Sequence, residues 1–439
     1  MIHSGLQETF HLSEAHAERL RLTDGAFTAE LVSESQERKL TSLWERATQS
    51  PYYSTQKAVA EQSLEALPVT PKAALKNDPS NFLRHTDAPY HKYYETSGST
   101  GVPTPTPRLV EDSIWNTVSV ATIWGRVLSP GDRVAALLPS DVAPVCDLVS
   151  GVAEYLGCTM LRAYPFTQGI CDWDRLESLF DGYSPQHVFA APGVILQWTR
   201  LLKRRGKLDQ VRAGVESLML LGEVSSRSLR ARLAEIWDAR VIDVSYGSTE
   251  TGTIAAGCER DRLHLLLQSH VVEVLDGDRL SAAEPGRTGE LVVTTLNNFA
   301  RPLLRYATGD LVTVGSGADC GCGLGLPVVT VHGRGTESVT ISGVPLSAGA
   351  IEEIVYSAAG VTGYLVQLKR PDGISARLVL ERDVDFSGDP EELHETLRKE
   401  FAGVGIEWTQ IVSVEELPQL NKSGGSQKNW KRTNFQWVG

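Results

Sequence analysis

The sequence predicts an α/β protein: a large N-terminal domain of mainly parallel sheets covered by helices, with a small β-barrel-like unit, followed by a small C-terminal α+β domain. Three observations carry that expectation. From "DRVAALLP" to "RVIDVSYG", residues 132–247, short apolar runs alternate with helical patterns, as in a parallel sheet covered by helices. After Thr251 the chain reads as strands joined by turns. Past His332 the remaining length, about a hundred residues, suits a compact α+β domain. The expected division is 1–334 and 335–439.

In chain order, Leu40, Leu43, Trp44 and Ala47 share one face of a helix that ends near Pro51. A proline-containing loop leads to "YYETSGSTGVPTPTP". "DRVAALLP" then reads as a buried strand, followed by a helix over about 142–156. "TMLRAYP", "HVFAAP", "SLMLLGE" and "RVIDVSYG" are the next four strands. The helices between them fall near 173–180, 193–204 and 226–237. "LHLLLQSHVVEVL", "GELVVTTL" and "LVTVGS" read as strands joined by turns, as in a smaller antiparallel or barrel-like unit. In the last segment "PLSAGAIEEIVYSA" opens a helix, "TGYLVQLKR" and "SARLVLERD" pair as strands, and Leu393, Leu397 and Phe401 face one side of a second helix. No internal repeat is present.

Composition excludes several classes of function. A net charge of −12 argues against general affinity for nucleic acid or anionic membranes. No apolar run is long enough to span a bilayer, and the first residues lack the pattern of a signal peptide. A cytoplasmic enzyme is the expectation. Six cysteines in 439 residues do not make a disulfide scaffold, and Cys146, Cys158 and Cys171 read as buried, inert thiols.

The stretch Ser97, Gly98, Ser99, Thr100, Gly101 is a surface loop or linker on one reading. On the other, its bare N–H groups and hydroxyls close around a phosphate. The phosphate reading requires more nucleotide machinery downstream, and candidates occur in order. "SYGSTETG" ends the fifth strand, where open α/β sheets bind ligands. There Tyr246 suits a base, Thr249 a phosphate and Glu250 a magnesium ion. "RYATGDL" offers Asp310 for ribose hydroxyls, and "HGRGTE" offers Arg334 for ribose or phosphate. Each alone is an ordinary turn or a solvated side chain; their joint order is what argues for a nucleotide site.

With these motifs the chain resembles the adenylate-forming superfamily of acyl-CoA synthetases, peptide-synthetase adenylation domains and luciferases, and most of all its phenylacetate–CoA ligase-like branch. "ETSGSTGVPT", "LLGEVSS", "SYGSTE", "RYATGDL" and "GRGTESVTISGVPL" carry the resemblance. It implies that a carboxylate attacks the α-phosphate of Mg-ATP, giving an acyl-adenylate and pyrophosphate, and that a thiol, commonly CoA, then displaces AMP. It further implies that Ser97, Gly98, Ser99, Thr100 and Gly101 wrap the phosphates and that Glu250 binds Mg2+. Tyr246, Gly247, Gly222 and Glu223 would frame the adenine, and Asp310 with Arg334 would hold the ribose. Two positions depart from the family pattern. Val102 stands where a Lys is common, and Thr336, followed by Glu337, stands where the hinge often carries Asp or Lys. "LPQLNKSGGSQKNWKR" matches the C-terminal lysine motif loosely, with Lys428 the catalytic candidate and Lys422 its alternative.

Cys258 and His264, with Cys320 and Cys322, make a donor set suited to tetrahedral zinc, against the reading of free buried thiols. The resemblance supports a structural zinc there. Tyr164, Phe166, Ala190, Pro192, Leu221 and Ser245 are candidate walls of an acyl pocket, although apolar strand ends are more often core. The residue mix and the branch favour an aromatic acid: an arylacetate, or a hydroxy- or aminobenzoate of secondary metabolism. The alternatives are an adenylating enzyme that passes its acyl group to a carrier protein or an amine, and a nucleotide-binding protein without turnover. "KRRGK" at 203–207 reads as a CoA-phosphate patch or an ordinary solvated helix end. A homodimer is an option that nothing in the sequence tests.

Overall fold

The alternation expected between residues 132 and 247 is present. Strands Arg133–Leu137, Thr159–Arg162, His187–Ala190, Ser217–Leu221 and Arg240–Ser248 are separated by helices Val145–Tyr155, Trp173–Tyr183, Pro192–Arg204 and Arg227–Trp237. The computed structural model describes residues 6–85, 89–96, 102–334, 338–369, 376–417 and 434–438. Two compact units make up the chain. The first comprises Met1–Val134, Pro139–Met160 and Ile242–Val331; the second comprises Ala135–Leu138, Leu161–Val241 and His332–Gly439.

In the first unit the antiparallel stretch expected after Thr251 pairs Ser245 with Ala256, Ala255 with Leu265, Val293 with Tyr306 and Val272 with Val293. The segment "LHLLLQSHVVEVL" holds two strands, Leu263–Leu265 and His270–Asp276. Between them Leu266 N donates to Ile254 O and Ser269 N turns back to Leu266 O. One face of this sheet closes on Leu43, Trp44, Ala47, Tyr53 and Phe82 from the N-terminal helices. Burying each such side chain contributes roughly 1.5–3 kcal/mol. The Tyr53 hydroxyl, fully buried, accepts from Leu304 N at 3.0 Å.

The second unit pairs His187–Ala190 in parallel with Ser217–Leu221. Trp198 packs between Phe180 and Trp237, with ring centroids 4.5 and 5.5 Å away. Its four-stranded sheet runs in the order Gln410–Val414, Ala376–Arg382, Val361–Lys369, Phe435–Val438, the central pair antiparallel and the outer pairs parallel. Leu393, Leu397 and Phe401 are the buried face of helix Pro390–Gly403, as their spacing requires.

In the basic run at 203–207, Lys203 is largely covered, while Arg204, Arg205 and Lys207 are exposed and ion-paired. Lys203, only 9% exposed, lies 2.7 Å from Asp383, itself 3% exposed. Arg204 reaches Glu381 and Glu416, while Arg205 and Lys207 both reach Glu177. Arg200, one turn earlier, is 2.9 Å from Glu381. Buried carboxylates require such partners, and here helix Pro192–Arg204 supplies them.

Candidate active site

The serine- and glycine-rich stretch is flanked by a two-stranded hairpin, Lys92–Glu95 against Pro105–Arg108, with Tyr94 opposite Thr106. Thr96 and Thr104 close it, by N–H to O at 3.2 Å and by N–H to hydroxyl at 2.9 Å. Pro103, Pro105 and Pro107 alternate with residues that keep an N–H. A two-stranded ribbon accommodates that pattern because neither strand is flanked on both sides. Ser97, Gly98, Ser99, Thr100 and Gly101 lie outside the described residues, as do Thr336, Glu337, Lys422 and Lys428.

The hairpin is anchored by charge. The Asp147 carboxylate accepts from Lys92 Nζ at 2.7 Å and from the Tyr94 hydroxyl at 2.8 Å. Burial pushes the Tyr94 phenol well above its usual range, so it stays a donor. Arg301, 1% exposed, donates to Pro105 O and Thr106 Oγ1, both at 2.8 Å. Desolvation lowers its guanidinium to about 10, helped by the charge of Arg108.

The turn after strand Arg240–Ser248 carries Thr249 and Glu250. A register shift at Tyr246 and Gly247 bends the strand where it enters the site. Gly247 has no room for a side chain, since a Cβ there would lie 2.2 Å from Gly252 O. The turn is gripped through its backbone. Arg108 Nη2 donates to Thr249 O at 2.7 Å and to Glu250 O at 3.3 Å, and Asn298 Nδ2 donates to Glu250 O at 3.0 Å. On its far side Thr251 O faces His270 Nε2 at 3.3 Å. Glu250 is 8% exposed, and its carboxylate has no hydrogen-bond donor among the described residues. A buried acid left in that state suits a cation.

The structure brings Tyr246 and Asp310 together: the phenol donates to Asp310 Oδ2 at 2.9 Å. The Asp310 turn is shaped by Gly309 at φ +78, whose N–H donates to Glu290 Oε1 at 2.9 Å. Lys72 Nζ holds Thr308 O at 2.6 Å. Ser245 pairs with Ala256 on the same sheet.

In the second unit, Gly222 and Glu223 follow strand Ser217–Leu221, and the Glu223 carboxylate accepts from Gly193 N at 3.3 Å. Ala190, Pro192 and Leu221 are buried at neighbouring strand ends. Tyr164 and Phe166 are half-buried and pack edge to face 5.3 Å apart, with Trp173 beyond them. Arg334 ends strand Val328–Arg334. Sequence reasoning missed Lys72, Arg108, Asn298 and Arg301. Each acts on a distant backbone carbonyl, and no local pattern marks such a partner.

The four zinc candidates converge. Donor atoms of Cys258, His264, Cys320 and Cys322 all lie within 4.8 Å of one another. Cys258 Sγ is 3.5 Å from Cys320 Sγ, and Cys322 Sγ is 3.3 Å from His264 Nε2. His264 Nδ1 lies 2.8 Å from Leu326 O, so it carries the proton and leaves Nε2 as a lone-pair donor facing the thiols. Burial raises the Cys258 thiol to about 12, raises that of Cys320 and lowers His264. Cys258 and His264 are buried and Cys320 is half-buried, and three thiols with one imidazole so placed fit a dication. Arg126 braces the site, with two 2.7 Å bonds to Glu259 and one to Cys322 O.

A family model described as AMP-binding enzyme matches residues 13–301. Phenylacetate-coenzyme A ligase of Aromatoleum evansii is 24% identical over 362 residues, 77% of this chain and 77% of that protein. The protein of the same name from Thermus thermophilus is 26% identical over 228 residues, 51% of this chain and 49% of that one. Among solved structures, 2-hydroxyisobutyryl-CoA ligase in the postadenylation state aligns with a TM-score of 0.76 at 18% identity, covering 93% of this chain and 89% of that chain. The anthranilate CoA ligase AuaEII with anthranoyl-AMP aligns at 0.56 and 15% identity, over 79% and 68%.

Proposed function

Because the chain belongs to the AMP-binding enzyme family, we propose that it is an AMP-forming ligase that activates an aromatic carboxylic acid and passes it to CoA. In the first step the acid's carboxylate oxygen bonds to the α-phosphorus of ATP while the bond to the β-phosphate oxygen breaks, giving acyl-adenylate and pyrophosphate. In the second, the thiol sulfur bonds to the acyl carbon, AMP leaves and the thiol proton is released. Two anions must meet in the first step, so alignment and charge neutralisation are the protein's main contributions. The observation that carries this reading is Glu250: a buried carboxylate with no donor among the described residues, its backbone clamped, on the same sheet as the Tyr246–Asp310 pair.

In this reading Glu250 holds Mg2+ and Thr249 meets a phosphate. Within the first unit, Tyr246 and Gly247 meet the adenine and Asp310 takes the ribose; within the second, Gly222 and Glu223 are candidates for the adenine and Arg334 for the ribose. Residues 97–101 wrap the departing phosphates, and Lys428 steadies negative charge as the adenylate forms. Residues 335–439 act as a small domain that reorients between the two steps. Tyr164, Phe166, Ala190, Pro192 and Leu221 of the second unit line the acid's pocket, and the relatives named for phenylacetate support an aromatic acid. Cys258, His264, Cys320 and Cys322 would hold a zinc ion whose contribution is structural, since four protein ligands leave it no open position.

A second reading, transfer to a carrier-protein thiol or an amine, is favoured by one observation. Lys203, Arg204, Arg205 and Lys207, the cations nearest to a CoA-phosphate patch in the sequence, are engaged in ion pairs within their own unit. Lys428→Ala tests the assignment of steps. Adenylation, followed as pyrophosphate release, should be abolished while transfer from preformed adenylate stays within a few-fold of wild type. Unchanged pyrophosphate release would refute the role of Lys428.

A further inference from the structure

We propose that Arg108 is a positioning residue for the metal site: it ties the turn bearing Glu250 to the strand that follows the serine- and glycine-rich stretch in sequence. The inference rests on the reading of Glu250 as the Mg2+ ligand.

Arg108 is the last residue of strand Pro105–Arg108 and is 7% exposed. A single nitrogen, Nη2, spans two successive carbonyls of the turn, Thr249 O and Glu250 O. Asn298 adds a second donor to Glu250 O. Two donors on one carbonyl fix the plane of that peptide, and the plane sets the direction in which the Glu250 side chain leaves the chain. Since the carboxylate has no donor of its own among the described residues, the backbone grip is what orients it.

The charge of Arg108 is balanced locally. Asp112 caps helix Val110–Trp124 by accepting from Leu109 N at 2.7 Å, and it is also bonded by Phe299 N and Ala300 N. The Arg108 guanidinium counters the rise that burial imposes on the Asp112 carboxyl. Arg301 anchors the same strand through Pro105 O and Thr106 Oγ1. The strand therefore keeps an anchor when Arg108 is trimmed, and the turn loses one of the two donors on Glu250 O and its bond at Thr249 O.

The test is calorimetric titration of the full chain with ATP, with and without Mg2+, for wild type, Arg108→Met and Arg108→Lys. In Arg108→Met the gain in ATP affinity on adding Mg2+ should shrink by about tenfold, the scale of one lost charge-assisted hydrogen bond, while affinity for metal-free ATP holds. Arg108→Lys keeps the charge on a shorter, non-planar donor, and its Mg2+ gain should fall by about threefold. An unchanged Mg2+ gain in Arg108→Met, or an equal loss with and without Mg2+, overturns the inference. If Arg108→Met does not fold, Arg108→Lys decides: about a threefold smaller gain supports the role, and a wild-type value overturns it. A wild-type protein whose ATP affinity ignores Mg2+ would instead refute the reading of Glu250.

Discussion

His270 should make the protein lose stability in mild acid, and the size of the loss follows from its surroundings. The imidazole is 3% exposed, its Nε2 faces Thr251 O at 3.3 Å, and its Nδ1 has no hydrogen-bond partner. Desolvation, with a small contribution from the Lys39 ammonium, lowers it from 6.5 to about 4. The sign follows directly. The unfolded chain binds this proton below about 6.5 and the folded chain only below about 4, so stability falls as pH drops through that window. At 1.36 kcal/mol per unit, going from about pH 7 to about pH 4.5 costs about 2 kcal/mol through this one group. In His270→Gln the side-chain amide can still donate to Thr251 O but does not titrate. Urea unfolding of both proteins at the two pH values isolates the term, because every other titrating group is shared. The wild type should lose about 2 kcal/mol more than the variant. Parallel losses, within about 0.5 kcal/mol, would refute the argument that burial alone keeps His270 neutral.

Three further outcomes are expected. Lys203→Met leaves the buried Asp383 with Arg232 at 3.9 Å as its remaining cation in the ion pairs described here, and should destabilise the second unit by roughly 3–5 kcal/mol; adding Asp383→Leu should restore much of that in thermal unfolding, and no restoration would contradict the pairing. Metal analysis should find about one zinc per chain, and changing Cys320 and Cys322 to Ser should lower metal content and stability together; metal-free protein of full stability would contradict the site. Asp310→Asn weakens the acceptor of the Tyr246 hydroxyl and of the proposed ribose contact, so KM for ATP should rise about tenfold or more in steady-state assays with kcat less affected.

The sequence makes the alternating strands and helices legible because each announces itself locally, as apolar runs of strand length set between helical periodicities. The helix facing inward through Leu393, Leu397 and Phe401 was readable for the same reason. Residue type and motif order name Glu250, Asp310 and the Cys–His set as candidates, and the folded chain places Tyr246 on Asp310 and the four Cys–His donors within 4.8 Å of one another. The site was not readable where a side chain acts on a remote backbone. Arg108 meets Thr249 and Glu250 more than a hundred residues away, which only the folded chain reveals. Lys203 looks solvated in sequence because its carboxylate partner, Asp383, lies near the far end of the chain.

Acid activation through an adenylate is tested most directly by incubating the full chain with Mg-ATP, CoA and a panel of phenylacetate, benzoate, hydroxy- and aminobenzoates and fatty acids, and identifying every product by mass spectrometry. AMP, pyrophosphate and one aryl-CoA thioester should form in equal amounts, each dependent on the matching acid. Cleavage of ATP to ADP and phosphate, or a panel that leaves ATP intact, would contradict activation through an adenylate.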